Sequence, residues 1–134
     1  MNQQIDFIYR AWDERLSRND AEGLLELYAV DASLESPLAP HLMRTASGIL
    51  RGHDELRPFF QKLANRKPEV RRYYRAGYFT DGRILMWEYP RETADGEQMD
   101  FAEVMEISNG LIQRHRVYWG WFGVKVLQTN AYHR

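Results

Sequence analysis

Apolar residues in the first half of the chain recur every three or four positions, which is the spacing of amphipathic helices. One stripe predicts a first helix over about residues 4–17 and consists of Ile5, Ile8, Trp12 and Leu16. Asp20, a residue type that caps helix N-termini, precedes a second stripe. This stripe predicts a helix that ends before Asp31 and buries Leu24, Leu25, Leu27 and Tyr28. The two helices are expected to form a hairpin.

The next segment predicts a strand, a loop and a third helix. Residues 32–36 predict a short strand that stops at Pro37, because proline cannot donate to a sheet ladder. An irregular loop is expected from there to about Ser47. A third helix is predicted to begin at residues 52–54 and to end at Pro68.

Three turn signals divide the second half of the chain. Asp81-Gly82, Asp95-Gly96 and Asn109-Gly110 are dipeptides that favour hairpin turns. The segments between them are rich in aromatic and β-branched residues, which favour strands. They predict four antiparallel strands at about 70–79, 83–93, 97–107 and 111–122. Helices followed by an antiparallel meander predict an α+β domain, in which a curved sheet wraps around the three helices.

The length of the last turn decides which side chains face the helices, because a shift of one residue exchanges the two faces of a strand. A two-residue turn at Asn109-Gly110 would place Glu103 opposite Arg116 on the inner face. A three-residue turn that also includes Ser108 would place Glu103 opposite His115 and send the arginine outward. We predict the three-residue turn, since burying an arginine is costly.

With this register, the inner face combines aromatic rings with two titratable groups. A three-residue turn at residues 94–96 adds Trp87 and Tyr89 to this face and suggests Tyr73 there. His41, in the loop after the first strand, is expected near the pocket mouth. The predicted lining of an apolar pocket is Trp12, Leu34, Ser36, His41, Tyr73, Trp87, Tyr89, Phe101, Met105, Val117 and Trp119.

Glu103 and His115 are the candidate catalytic pair. A carboxyl and an imidazole group side by side can exchange a proton near neutral pH. The alternative is a structural hydrogen bond that satisfies two buried polar groups. For the aromatic set, the alternative is an ordinary filled core.

Composition and charge exclude several function classes. The length of 134 residues fits one domain, residues 1–134, and the net charge of -1 provides no overall field that would attract nucleic acid or an anionic membrane. The basic cluster at residues 62–75 is interpreted as a solvated face.

The chain has no cysteine, and its four histidines lack a metal-ligand spacing, so we expect no metal site and no cofactor. The N-terminus does not resemble a signal peptide, and a soluble, cytoplasmic protein is expected.

The order of these elements, the strand at 32–37 (ASLESP) and the helix start at 52–57 (GHDELR) resemble a known superfamily. The chain resembles nuclear transport factor 2-like proteins of the polyketide cyclase (SnoaL-like) kind over nearly its whole length. The resemblance implies a cone-shaped α+β barrel with a deep pocket. The superfamily includes ketosteroid isomerases, polyketide cyclases, epoxide hydrolases and binding or scaffold proteins without catalysis.

The resemblance also places family residues on this chain. The general-base aspartate of the isomerases corresponds to Ser36, and their oxyanion-hole tyrosine corresponds to Trp12. Their protonated aspartic acid falls near Glu103, which alone retains a carboxyl group. The acid-base aspartate of the polyketide cyclases falls at about Gly120, which argues against aldol cyclase chemistry.

We therefore expect a cofactor-independent acid-base enzyme of isomerase, cyclase, dehydratase or hydrolase type, acting on an apolar ring-containing metabolite. The alternative is a non-catalytic ligand-binding or dimerisation module of the same fold. Ser36 and Tyr73 would orient a substrate oxygen. The opposite sheet face is more apolar than a solvated face requires, owing to Ile84, Met86, Ala102 and Val104. A homodimer through this face is expected, as is common in the family that the chain resembles.

Overall fold

The computed structural model describes residues 3–64, 77–92 and 98–128. The helices are α1 (Gln3–Ser17), α2 (Ala21–Leu25), α3 (Leu38–Met43), α4 (Gly52–Ala64) and α5 (Trp121–Gln128). The strands are β1 (Tyr28–Glu35), β2 (Ile49–Arg51), β3 (Phe79–Thr80), β4 (Ile84–Glu92), β5 (Gln98–Ser108) and β6 (Leu111–Trp119). None of the helices in the described part of the chain is long and apolar enough to cross a membrane.

The strands form one curved sheet in the order β2-β1-β6-β5-β4-β3, which is not closed into a barrel. Neighbouring strands run antiparallel except for β1 and β6, which run parallel. The predicted α+β class and the wrapped sheet are confirmed. The predicted first strand of the meander at 70–79 is described only from residue 77 onwards, where β3 begins at Phe79.

The first helix agrees with the predicted stripe, and the second helix is shorter than predicted. Ile5, Ile8 and Leu16 are buried on α1. The Asp20 carboxylate accepts a hydrogen bond from the Gly23 amide at 2.9 Å, which caps α2. The helix ends at Leu25, so the prediction that it continues through residue 28 is wrong. The reason is non-local, since the carbonyl of residue 27 accepts a hydrogen bond from β6.

The segment predicted to be an irregular loop contains α3. Pro37 occupies the N-cap position with a φ of -59°, which is compatible with a helix start. The Ser36 hydroxyl accepts a hydrogen bond from the Leu38 amide at 3.1 Å. Arg44 ends the helix in a left-handed conformation. The prediction of a loop from residue 37 to about 47 is therefore wrong, and His41 lies on a helix.

The last predicted strand ends early and is followed by a helix. β6 ends at Trp119, and the Gly120 amide donates to the Asp100 carbonyl at 2.8 Å. Helix α5 then packs against the end of the strand. A Cβ atom at Gly123 would lie 2.6 Å from the Trp119 ring, so only glycine fits this approach without a shift. The prediction of a strand to residue 122 is wrong, because the chain is held at Gly120 by the Asp100 carbonyl and continues as α5 from Trp121.

The turn between β5 and β6 is two residues long. Ser108 pairs with Leu111, and Asn109 and Gly110 have φ angles of 53° and 76°, as type I′ hairpin turns require. The predicted three-residue turn is therefore wrong. The physical reason is that Asn-Gly adopts two successive positive φ angles at little cost.

A bulge in β6 nevertheless produces the predicted orientation of the inner face. Gln113 is an extra residue, because Ile107 pairs with Ile112 whereas Glu106 pairs with Arg114. One extra residue exchanges the faces of everything beyond it. The bulge thus sends the side chain of residue 115 inward, where it is 1% exposed.

The same shift changes the partner of each inner residue. Glu103 lies opposite Val117, not opposite His115 as predicted, and His115 lies opposite Met105. Arg114 and Arg116 face outward, as predicted, and both form ion pairs with Glu106.

The pairing of β4 with β5 is the predicted one. Trp87 lies opposite Glu103, and Tyr89 lies opposite Phe101. Trp87 and Tyr89 are buried on the inner face, as expected, and Leu85 is buried there with them. The turn at 94–96 and Tyr73 lie outside the described residues.

Candidate functional site

Five buried side chains, hereafter the polar relay, are joined by hydrogen bonds across the inner face of the sheet. The Tyr89 hydroxyl donates to Oε2 of Glu103 at 2.6 Å, and Nε2 of His115 lies 2.6 Å from Oε1 of the same carboxyl group. Nδ1 of His115 lies 2.8 Å from the Tyr28 hydroxyl, which accepts from the Trp12 indole N–H at 3.0 Å. Exposure within the relay ranges from 1% at Tyr28 to 7% at Tyr89.

Each member of the relay comes from a different element. Trp12 belongs to the apolar stripe of α1, and Tyr28 is the first residue of β1. Tyr89, Glu103 and His115 lie on β4, β5 and β6. The relay therefore exists only in the folded protein.

Aromatic rings surround the relay. Trp12 contacts Trp87 with 5.5 Å between ring centroids and an interplanar angle of 70°. Phe101 contacts Tyr89 at 5.4 Å and Trp119 at 5.0 Å. The predicted aromatic lining is thus brought together, and its members pack against one another in tilted or edge-on arrangements.

The apolar members of the predicted lining also lie near the relay in the sheet. Leu34 pairs with His115 across β1 and β6, and Met105 pairs with it across β5 and β6. Both are buried. Val117, opposite Glu103, is half-buried.

The remaining predicted residues have different surroundings. The Ser36 hydroxyl is buried and hydrogen-bonded to the start of α3, so it has a backbone partner of its own. His41 is half-buried in the last turn of α3. Tyr73 belongs to the part of the chain that is not described.

Sequence reasoning missed Tyr28 as a site residue because it placed this tyrosine on a helix. Its hydroxyl joins Trp12 to His115, and its carbonyl lies 2.9 Å from Nε2 of His53. A carbonyl oxygen only accepts, so His53 donates, which holds the start of β1 against α4. The predicted burial of Tyr28 was the available signal, since a buried phenol needs a polar partner.

Electrostatics keep the Tyr28 phenol protonated. Burial raises the pKa of Tyr28, the hydrogen bond from Trp12 opposes this effect, and the negative charge of Glu103 adds to it. Tyr28 is therefore a hydrogen-bond donor to the imidazole or an acceptor from it, but not a phenolate.

Within the three described stretches, no group of three histidine, aspartate or glutamate side chains is arranged to hold a metal ion. The relay itself holds a carboxyl and an imidazole that share a hydrogen bond.

Comparison with known proteins gives a family. The SnoaL-like domain family matches residues 9–115, whereas no curated protein matches the chain. A nuclear transport factor 2-like protein of unknown function from Burkholderia pseudomallei is 18% identical and has a TM-score of 0.72, with 93% of this chain and 96% of that protein covered.

Two further structures have the same fold. SalBIII, an epoxide hydrolase/cyclase-like enzyme with a role in pyran ring formation in the polyether salinomycin, is 16% identical with a TM-score of 0.66, over 90% of this chain and 93% of that one. A de novo designed protein with a curved β-sheet is 19% identical with a TM-score of 0.69, over 96% of each chain. An enzyme and a designed protein are matched alike, so these likenesses show the fold alone. The chain belongs to the SnoaL-like domain family, within the nuclear transport factor 2-like superfamily.

Proposed function

We propose that this protein is a cofactor-independent acid-base enzyme that acts on an apolar, ring-containing small molecule in the cytoplasm. Glu103 and His115 transfer the proton, in a reaction of isomerase, cyclase, dehydratase or hydrolase type. The observation that carries the proposal is the 2.6 Å contact between the Glu103 carboxyl and the His115 imidazole, both buried among aromatic rings. Titratable pairs in such surroundings are candidates for proton transfer.

The carboxyl group performs the central step. Glu103 takes a proton from one substrate atom and returns it to another, so the reaction needs no electron acceptor. The imidazole of His115 hydrogen-bonds to Oε1 of Glu103. In this proposal, the substrate contacts Oε2 and the Tyr89 hydroxyl that is bonded to it. A substrate group that hydrogen-bonds to Oε2 does so in competition with Tyr89.

Aromatic side chains supply the binding energy. Stacking and burial against Trp87, Phe101 and Trp119 favour flat or ring-shaped apolar molecules over charged ones. The description of SalBIII as an epoxide hydrolase/cyclase-like enzyme is consistent with a ring-containing substrate for a protein of this fold.

The test measures hydrogen exchange on a panel of compounds, so the natural substrate need not be known. A panel of cyclic ketones, enones and epoxides is incubated with the protein in deuterated water, and NMR records deuterium incorporation or conversion of each compound. The wild type is expected to act on at least one class. Glu103→Gln is expected to reduce the rate by at least about 100-fold while affinity changes by less than about tenfold, because the isostere keeps the shape but not the proton exchange.

Glu106→Gln is the matched control, because Glu106 lies on the outer face of the same strand, where it pairs with Arg114 and Arg116. Its rate is expected to equal that of the wild type. Equal rates in the wild type and Glu103→Gln would exclude the catalytic role.

A non-catalytic binding module is the second candidate function. The observation that favours it is that both oxygens of Glu103 already have partners within the relay, as a structural network requires. Binding of a panel compound without exchange or conversion in any variant would select this function.

The proposal includes a homodimer through the outer face of the sheet. Phe79, Met86 and Tyr118 are 74%, 37% and 53% exposed there, and Phe79 pairs with Met86. Exposed apolar side chains on neighbouring strands favour contact with a partner surface.

A further inference from the structure

The direction of the hydrogen bonds in the relay follows from its first member. An indole N–H can only donate, so the Tyr28 oxygen must be the acceptor in its 3.0 Å contact with Trp12. The phenol has one hydrogen of its own. Two partners of one hydroxyl lie in different directions from it, so this hydrogen is turned away from the indole.

The other partner of the hydroxyl is Nδ1 of His115, at 2.8 Å. If Tyr28 donates there, Nδ1 is an acceptor, and the imidazole proton lies on Nε2, directed at Glu103. Each polar atom of the relay then has a suitable partner. If Nδ1 carried a hydrogen instead, the Tyr28 oxygen would accept twice, and its own hydrogen would point away from both partners at a residue that is 1% exposed. An unsatisfied buried donor is costly.

We infer that Tyr28, whose oxygen accepts from Trp12, is a positioning residue that donates to Nδ1 of His115 and so keeps the imidazole proton on Nε2, directed at Glu103. The Tyr89 hydroxyl donates to Oε2 and Nε2–H donates to Oε1, so both carboxyl oxygens are hydrogen-bond acceptors in this arrangement. The resting site therefore accepts a proton before it donates one.

This direction deepens the proposed function and rests on it. The first step removes a hydrogen, as H⁺, from an acidic C–H or O–H group of the substrate, and Glu103 receives it. The electron pair stays on the substrate. The same proton then returns to a different substrate atom, which restores the carboxylate. Substrates with a hydrogen next to a carbonyl group are expected to react, and compounds that need protonation first are not.

The groups that face His115 come from several elements. Glu103 of β5 and Tyr28 of β1 hydrogen-bond to the imidazole, and Tyr89 of β4 acts on it through Glu103. Trp12 of α1 adds an edge-on ring contact at 5.9 Å between centroids and carries no charge. A change in the protonation of His115 must therefore be interpreted together with the protonation of Glu103, Tyr28 and Tyr89.

The test is an NMR measurement on protein with ¹⁵N-labelled histidine, in which long-range proton–nitrogen correlations identify the protonated ring nitrogen of His115. In the wild type at neutral pH, we expect a proton on Nε2 and none on Nδ1. In Tyr28→Phe, Nδ1 of His115 faces a phenyl ring instead of an O–H donor. A population with Nδ1 protonated is then expected under conditions where the wild type has none.

Trp87→Phe is the control, because Trp87 is an indole of the same aromatic cluster that contacts Trp12. It is expected to leave the protonated nitrogen of His115 unchanged. A proton on Nδ1 in the wild type would overturn the inference, and so would a Tyr28→Phe spectrum equal to that of the wild type. If Tyr28→Phe does not fold, the wild-type spectrum alone decides.

The results can contradict either of the two proposals without contradicting the other. The tautomer is measured without substrate, so an inactive panel with Nε2 protonated contradicts only the proposed enzyme. Activity that depends on Glu103, combined with a proton on Nδ1, contradicts only the positioning role of Tyr28.

Discussion

The hydroxyl of Tyr28 is the atom on which the relay depends, and Tyr28→Phe removes it alone. The phenyl ring stays, with its 5.1 Å centroid contact to Phe60, so the volume of the core is nearly unchanged. Two partners lose their hydrogen bonds, the Trp12 indole N–H and Nδ1 of His115. Both belong to side chains that are at most 5% exposed.

The size of the effect follows from these two atoms. A buried polar group left without a partner costs about 1–3 kcal/mol, so the two together lower the free energy of unfolding by about 2–6 kcal/mol. Single domains have unfolding free energies of about 5–15 kcal/mol, so the variant is expected to fold with a much reduced margin.

Tyr9→Phe is the matched control. Its hydroxyl accepts from the Gly77 amide at 3.2 Å in an exposed position, where water can replace it. The same chemical change there is expected to lower the free energy of unfolding by less than about 1 kcal/mol.

The assay is urea unfolding followed by tryptophan fluorescence, with the slope m compared between variants to check that the same surface is exposed. A double-mutant cycle with Trp12→Phe then isolates the contact itself, for which a coupling free energy of about 0.5–3 kcal/mol is expected. If Tyr28→Phe costs no more free energy of unfolding than Tyr9→Phe, or the coupling free energy is zero, the Tyr28 hydroxyl does not join Trp12 to His115.

Two further predictions concern the surface and the helices. Asp20→Ala removes the side-chain cap of α2 and is expected to lower the free energy of unfolding by about 1 kcal/mol in the same urea assay, whereas Asp20→Asn retains it; equal loss in both variants would count against the capping bond. The proposed dimer is expected to give twice the chain mass in light scattering, and Met86→Lys is expected to give a monomer, because it places a charge on the exposed apolar face beside Phe79; a wild-type monomer at micromolar concentration would contradict it.

Several features of the fold could be predicted because they depend on local patterns. The stripe of α1 and the pairing of β4 with β5 follow from periods of 3.6 and 2 and from turn residues. Trp12, Trp87 and Glu103 were therefore placed on the inner face correctly.

The orientation of His115 was predicted correctly for the wrong reason. The turn at 109–110 has two residues, which alone would have turned this imidazole outward. The bulge at Gln113 reverses the effect, and it depends on both neighbours of β6. Its pairings with β1 and with β5 each shift there, and the Gln113 side chain donates to Asp31 of β1 at 3.0 Å.

The sequence by itself determined the α+β class, the apolar stripes and the side of the sheet on which Trp87, Tyr89 and Phe101 lie, because these are set by residues close together along the chain. Only the tertiary structure decided the parallel pairing of β1 with β6, the helix at residues 121–128 and the entry of Tyr28 into the relay. Each of these requires a hydrogen bond or a packing contact between residues far apart in sequence, and no local period carries that information.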